Sequence, residues 1–155
     1  MIRLEYWIMA DTQYRVHSPF VFEMYRKVLF ATVGKELRER MCEGLSAEME
    51  EMVRKAKRCE RKYHELVYKI RDHYGMKVVS YDEDEAVLEN GVDPITGLNV
   101  IDTVKVVCRP HRHHARELRW RAQQGNKKYN VSIDMYDVGL LMFCPKMQEQ
   151  QFLLK

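Results

Sequence analysis

The sequence predicts an α/β fold in which N-terminal helices pack on a small mixed sheet of about four strands. Apolar residues recur at helical spacing before residue 75, and strand-like runs dominate after it. A length of 155 residues indicates one domain, 1–155, with a helical part (1–75) and a sheet part carrying one helix (76–155). The composition, 46% hydrophobic and 32% charged, excludes disordered and fibrous classes.

The first helices are predicted from their boundaries. A helix is expected over about residues 3–13 from its apolar periodicity. Ser18 followed by Pro19 is a typical helix start, because the hydroxyl accepts from a free amide and proline has no amide to satisfy. Gly44 is expected to end a helix that begins near Gly34.

A long helix is predicted between Ser46, as its cap, and Gly75, as its left-handed stop. Its apolar residues alternate at spacings of four and three, which is a heptad pattern. They are Leu45, Met49, Met52, Ala56, Cys59, Tyr63, Leu66 and Ile70. Two interpretations follow: this 45–70 seam packs on the body of the domain, or it pairs with the same seam of a second chain.

Strands are expected at 76–81 and 100–108, with a turn-rich stretch at 90–97 between them. The acidic run 82–85 is expected to form the first turn of a short helix that continues through Leu88, because helix N-termini favour acids.

The last third predicts one helix and the remaining strands. A helix over 111–124 should direct Ala115, Leu118 and Ala122 inward. Alternation over 129–135 indicates a half-buried strand. Strand-like runs at 140–144 and 151–154 complete the sheet, and Gly139 and Pro145 are expected to mark strand boundaries.

Charge is distributed in two opposite blocks. Residues 82–102 hold seven acids and no Lys or Arg, whereas residues 105–128 hold eight bases and one acid. The blocks either compensate each other or leave the basic helix, 109–128, free to bind nucleic acid or another anion. The candidate anion-binding residues are Arg109, Arg112, Arg116 and Arg119, of which the last three share a helical stripe.

Both ends of the chain resemble one protein family. Residues 14–22 (YRVHSPFVF), Trp120, residues 131–143 (VSIDMYDVGLLMF) and residues 151–154 (QFLL) look like motifs of bacterial class I S-adenosylmethionine-dependent methyltransferases. A weaker similarity covers 62–79. Together these segments span roughly half of the chain, and the resemblance implies a reduced Rossmann-like frame.

The family's cofactor loop has no counterpart here. Such a loop needs glycines after the first strand so that the backbone can approach the ligand. Strand 76–81 instead runs into acids, and no glycine follows until Gly91. We therefore expect a degenerate relative without a cofactor, acting as a non-catalytic binding or structural module. The alternative is a functional methyltransferase of reduced size that binds S-adenosylmethionine. No catalytic or cofactor-binding residue is assigned.

One cluster contains donor types suited to zinc. Cys108, His111, His113 and His114 form a C-x2-H-x-H-H pattern where a strand passes into a helix. Adjacent histidines on a forming helix diverge by about 100° each. A buried cysteine followed by exposed histidines is the favoured interpretation, so no metal is expected.

Partners and location are predicted from what the chain contains. The four cysteines show no close pairing and are expected to be reduced thiols. No apolar run approaches the roughly 20 residues of a membrane span, and no signal peptide is recognised, so a cytoplasmic protein without membrane contact is expected. Loss of central strands should expose an edge or face, which predicts a homodimer through the 45–70 seam or a sheet edge. A further partner, either a protein or a nucleic acid, is an alternative that the sequence leaves open.

Overall fold

The computed structural model describes residues 18–154, and the expected helix at 3–13 lies outside them. The helices are α1 (Pro19–Met24), α2 (Lys35–Arg40), α3 (Ala47–Arg54), α4 (Arg58–Tyr74) and α5 (His114–Gln124). The strands are β1 (Lys77–Tyr81), β2 (Glu85–Val92), β3 (Asn99–Cys108), β4 (Val131–Asp134), β5 (Val138–Phe143) and β6 (Gln150–Leu153). Within 18–154, no helix combines the length and apolarity of a membrane span. All four cysteines are free.

Side-chain caps fix the starts of two N-terminal helices, as predicted. The Ser18 hydroxyl accepts from the Val21 amide at 3.4 Å, with Pro19 in the first turn of α1. A π-helical turn, Tyr25–Leu29, extends that helix. Ser46 Oγ accepts from the Met49 amide at 3.3 Å at the start of α3.

The predicted long helix is two helices, so the continuous 45–70 seam is wrong. α3 ends at Arg54 and α4 begins at Arg58. The break occurs because the Lys57 amide donates to the Glu60 carboxylate at 3.2 Å, which starts a new helix. The predicted end of the helix is confirmed, because Gly75 caps α4 with a φ of 60°.

The apolar face of α4 packs on the domain itself. Tyr63, Leu66 and Ile70 are at most 2% exposed and belong to the hydrophobic core. This confirms packing on the body for that half of the seam. A dimer seam through these three residues is therefore wrong, because their surface is already buried within the chain.

The sheet has six strands in the order β1-β2-β3-β5-β4-β6, rather than about four. Neighbours are antiparallel except β4 and β6, which are parallel. The missed strand is β2, which occupies residues expected to form a short helix and a turn-rich stretch. It pairs with β3 along most of its length, which overrides the local turn signals at Asn90 and Gly91.

The core lies between one face of the sheet and helices α1 and α4. Cross-strand register puts Leu88 opposite Val104, and Leu140 opposite both Val106 and Ile133. Side chains of α1 and α4 complete this cluster. Burial of each such aliphatic side chain stabilises the fold by about 1.5–3 kcal/mol.

The other face of the C-terminal strands is covered by α5. All four residues of β4 are buried, so the expectation of a half-buried strand is wrong. Gly139 lies inside β5 and not at its boundary, and Trp120 packs against it. The two sides of the sheet are therefore both occupied at β4 and β5.

Candidate functional site

β1 ends in a tight hairpin turn. Asp82 Oδ1 accepts from the Asp84 amide at 2.7 Å and from the Glu85 amide at 2.9 Å. The Asp82 amide donates to the Glu85 carbonyl at 3.0 Å. The chain then returns antiparallel as β2. The predicted helical turn at 82–85 is wrong, because the Asp82 side chain closes a β-turn instead.

Acids of this turn pair with the basic residues of the sheet and of α5. Arg116 forms a close ion pair with Asp84 and also donates to the Cys108 carbonyl at 3.0 Å. Glu85 lies 3.1 Å from Lys105 Nζ and 3.8 Å from Arg119. This arrangement confirms mutual compensation of the two charge blocks at these positions.

The other two candidate anion-binding residues lie apart from this pair. Arg109 donates to Cys59 Sγ at 3.6 Å and has a φ of 49°. Arg112 is exposed. The four arginines therefore do not converge on one surface: Arg116 and Arg119 face the acidic turn.

The orientation of α5 is opposite to the one predicted. Ala115, Leu118 and Ala122 are exposed, and Leu118 keeps 54% of its surface. Glu117 and Trp120 are the buried residues of this helix. The Trp120 ring and the polar side chains of α5 make contacts that the small alanine side chains cannot make. These contacts decide which face of α5 lies against the sheet.

The proposed metal donors do not form one site. Cys108 is buried in the core, where burial raises the pKa of its thiol to about 12. His113 Nδ1 caps α5 by accepting from the Arg116 amide at 3.3 Å, and His114 is exposed. Among residues 18–154, no group of three or more His, Cys, Asp or Glu side chains is arranged to hold a metal ion.

His111 instead joins a buried polar cluster on β4. Its Nε2 lies 2.6 Å from Asp134 Oδ2, which also accepts from Trp120 Nε1 at 3.0 Å. The Tyr136 amide donates to Asp134 Oδ1 at 2.9 Å, and its ring stacks on His111. A His–Asp pair of this geometry can orient an imidazole for acid–base chemistry. The His111 side chain is only 2% exposed, so the cluster ties α5 to the sheet.

The Ser132 hydroxyl, on the same strand, also forms a hydrogen bond. Ser132 Oγ accepts from Gln124 Nε2 at 3.0 Å and is buried. It therefore serves to attach α5 to β4. Trp120, Asp134 and Gly139 meet in this region.

A second buried histidine was missed by the sequence analysis. His64 is 3% exposed, and its Nδ1 lies 2.5 Å from the Tyr81 hydroxyl. The ring lines a cavity of about 210 Å³ between α2, α3 and α4. Its position beside the apolar seam offered a weak signal, but the partner Tyr81 is 17 residues away on a strand.

Chemically, this cavity has the features of a small-molecule site. It combines apolar side chains, Met41 and Val53, with the charged Arg61 and the buried imidazole of His64. Burial lowers the pKa of His64, an effect only partly opposed by Glu60, so the ring is neutral near pH 7.

Comparisons of the chain with protein-family models, with curated proteins and with solved structures found no significant match.

Proposed function

We propose that the protein is a methyltransferase-like but non-catalytic binding or structural module that works without S-adenosylmethionine. The observation that carries this proposal is the hairpin after β1. A cofactor loop requires open backbone amides between a strand and a helix. Here the Asp82 carboxylate occupies two of those amides, and the strand returns at once as β2.

The connectivity of the sheet supports the same proposal. Rossmann-type cofactor sites lie at the carboxyl ends of parallel strands joined by helical crossovers. Among the described strands, β4 and β6 alone are parallel, and β1, β2 and β3 follow as a meander. The Tyr63 hydroxyl also donates to the Asp82 carbonyl at 2.7 Å, which holds the turn against α4.

A reduced Rossmann-like methyltransferase frame is part of this proposal. Its support is the meeting of three residues from the C-terminal motifs, one on α5 and two on the β4–β5 hairpin. Trp120 donates to Asp134 and packs on Gly139, so these three residues form one packed unit. A cytoplasmic location is proposed with it, and the four free thiols fit a reducing compartment.

Calorimetric titration with S-adenosylmethionine and S-adenosylhomocysteine tests the proposal. We expect no saturable heat, because in the turn after β1 the Asp82 carboxylate already accepts from the amides of Asp84 and Glu85. Saturable binding at micromolar affinity would overturn it in favour of a functional, reduced methyltransferase. The folded state of the same sample is checked by circular dichroism, so that absence of heat cannot arise from unfolding.

Anion or nucleic-acid binding through α5 is a second candidate. Its support is that Arg112, Arg119, Lys127 and Lys128, in or next to α5, are exposed. Such binding to a single-stranded oligonucleotide would weaken steeply between about 50 and 200 mM salt. Fluorescence anisotropy of a labelled oligonucleotide measures this, and no binding at the lower salt concentration contradicts the candidate.

A homodimer through a sheet edge is the remaining part of the proposal. β1 ends the strand order, and its Val79 sits in a bulge with 52% of its surface exposed. Sedimentation equilibrium at micromolar concentration should give a dimer for the natural chain. Val79→Asp should give a monomer, because two like charges would meet at a symmetric edge, whereas Val79→Thr should not. A monomeric natural chain contradicts the dimer.

A further inference from the structure

The cavity between α2, α3 and α4 has walls of two kinds. Met41, after α2, and Val53, near the end of α3, provide apolar surface, and Ala56 lies between them and α4 in the break between the helices. The polar surface comes from Arg61, His64 and Glu65 of α4 and from Arg38 of α2. The volume of about 210 Å³ corresponds to about seven water molecules at roughly 30 Å³ each.

The polar group set deepest in this cavity is a hydrogen-bond donor. We assign the Tyr81 hydroxyl as the donor and His64 Nδ1 as the acceptor of the 2.5 Å hydrogen bond between them. A neutral imidazole that accepts at Nδ1 carries its own proton on Nε2. Nε2 is the ring nitrogen on the side away from Tyr81, and His64 is one of the residues that line the cavity. The buried histidine therefore offers an N–H to a ligand.

An exposed guanidinium also lines the same cavity. Arg61 is exposed, and within residues 18–154 it forms no ion pair. The other guanidinium of the lining, Arg38, lies 3.7 Å from Glu65. A neutral N–H and an uncompensated guanidinium together suit a carboxylate, which accepts from both.

The neighbouring surface limits the ligand to one negative charge. On the other side of Ala56 and His64 lies a second cavity, of about 280 Å³, whose lining is mainly acidic. It includes Glu48, Glu51, Glu60 and Glu83. A second carboxylate that reached this side would be repelled.

We propose that the cavity between α2, α3 and α4 binds a short-chain aliphatic monocarboxylate. The carboxylate accepts from His64 Nε2–H and from Arg61, and the hydrocarbon chain lies against Met41 and Val53. This site goes beyond the proposed binding module and is separate from the missing cofactor loop, so the adenosyl titration and the carboxylate titration fail or succeed independently.

The test is a titration of the full chain with sodium hexanoate, followed by methyl and amide chemical shifts. We expect saturable shifts at Met41 and Val53. Binding should be at least about tenfold weaker for hexan-1-ol, which lacks the charge, and for the dicarboxylate adipate, which carries a second one. Chemical shifts that do not saturate with added hexanoate, or equal affinity for hexanoate and hexan-1-ol, would overturn the proposal.

Variants locate the site. Arg61→Gln should weaken hexanoate about tenfold, whereas Arg58→Gln, exposed on the same helix and outside the cavity lining, should leave the affinity unchanged. Tyr81→Phe removes the hydroxyl that holds the His64 tautomer and should also weaken binding. Equal affinity of Arg61→Gln and Arg58→Gln contradicts the assignment. Arg61 is on the surface, so that comparison does not depend on a change in the core.

Discussion

The indole ring of Trp120 fills the space above Gly139. A Cβ at position 139 would lie 2.4 Å from Trp120 Cη2, closer than side-chain atoms approach in folded proteins. The absence of a side chain at Gly139 is therefore what allows α5 to lie on the sheet at this position.

Gly139→Ala should destabilise the protein by about 1–3 kcal/mol, because the methyl group overpacks a filled site. Urea unfolding measures the change. Gly125→Ala is the matched control, since the nearest atom to its new Cβ is 3.6 Å away and its φ is −81°. Equal stability of the two variants would contradict the contact with Trp120.

Asp134→Asn should cost about 2–4 kcal/mol of unfolding free energy, because a buried acceptor for both His111 and Trp120 loses its charge and one of its oxygens. Asp102→Asn is the control, since Asp102 accepts only an exposed hydrogen bond from Asn99. Thermal unfolding of both variants checks the prediction, and a loss below that of the control argues against a central role of Asp134.

Leu118→Lys should change stability by less than about 0.5 kcal/mol, because this side chain is 54% exposed. Trp120→Ala, two residues away, should cost about 3–5 kcal/mol. Chemical denaturation of the pair determines the orientation of α5. A strongly destabilised Leu118→Lys would restore the orientation that apolar periodicity predicts.

Exchange of the charges of Arg116 and Asp84 tests compensation between the charge blocks. Arg116→Asp should destabilise the fold, and Asp84→Arg in the same chain should recover part of the loss. The recovery should be near 0.5 kcal/mol, a small value, because the Asp84 side chain is 66% exposed and solvent screens the pair. A double-mutant cycle with zero coupling energy would show that the pair does not contribute.

Stability should decrease in mild acid because of His64. Burial lowers the pKa of His64 in the folded state, so the unfolded chain takes up the proton first as the pH falls below about 6.5. The contribution is complete above that pH and is lost as the pH falls through the folded-state pKa. Unfolding free energies at pH 7.5 and 5.0, buffer conditions that bracket the ordinary value of about 6.5, measure the loss.

His64→Asn is the comparison for this pH dependence. The Asn side chain can still bond the Tyr81 hydroxyl but does not titrate, so the difference between the two pH values should shrink. His73, whose pKa is also lowered by burial, keeps a residual dependence in the variant. An unchanged difference would assign the acid sensitivity to groups other than His64.

The helix caps at Ser18, Ser46 and Gly75 were predictable because they depend on hydrogen bonds within a few residues. Ser18, Ser46 and Gly75 act as expected, since a hydroxyl or a left-handed glycine satisfies its neighbours whatever the rest of the chain does. The apolar stripe of α4 was predictable for a related reason: four large apolar residues per two turns must find a core.

The orientation of α5 and the strand β2 depended on contacts distant in sequence. Alanine spacing suggested one face of α5, but Trp120 and the acceptor Asp134 on β4 selected the opposite one. β2 was hidden by local acid and turn signals, and its pairing with β3 outweighs them.

The sequence by itself determined the order of helices before strands, the caps, the free thiols and the absence of a glycine-rich turn after β1. Tertiary structure alone decided the candidate site. His64 and Tyr81 are 17 residues apart, on a helix and a strand, and the cavity exists because three separate helices leave a gap that their own side chains do not fill. Local patterns fix local hydrogen bonds, whereas a cavity is set by how complete elements pack.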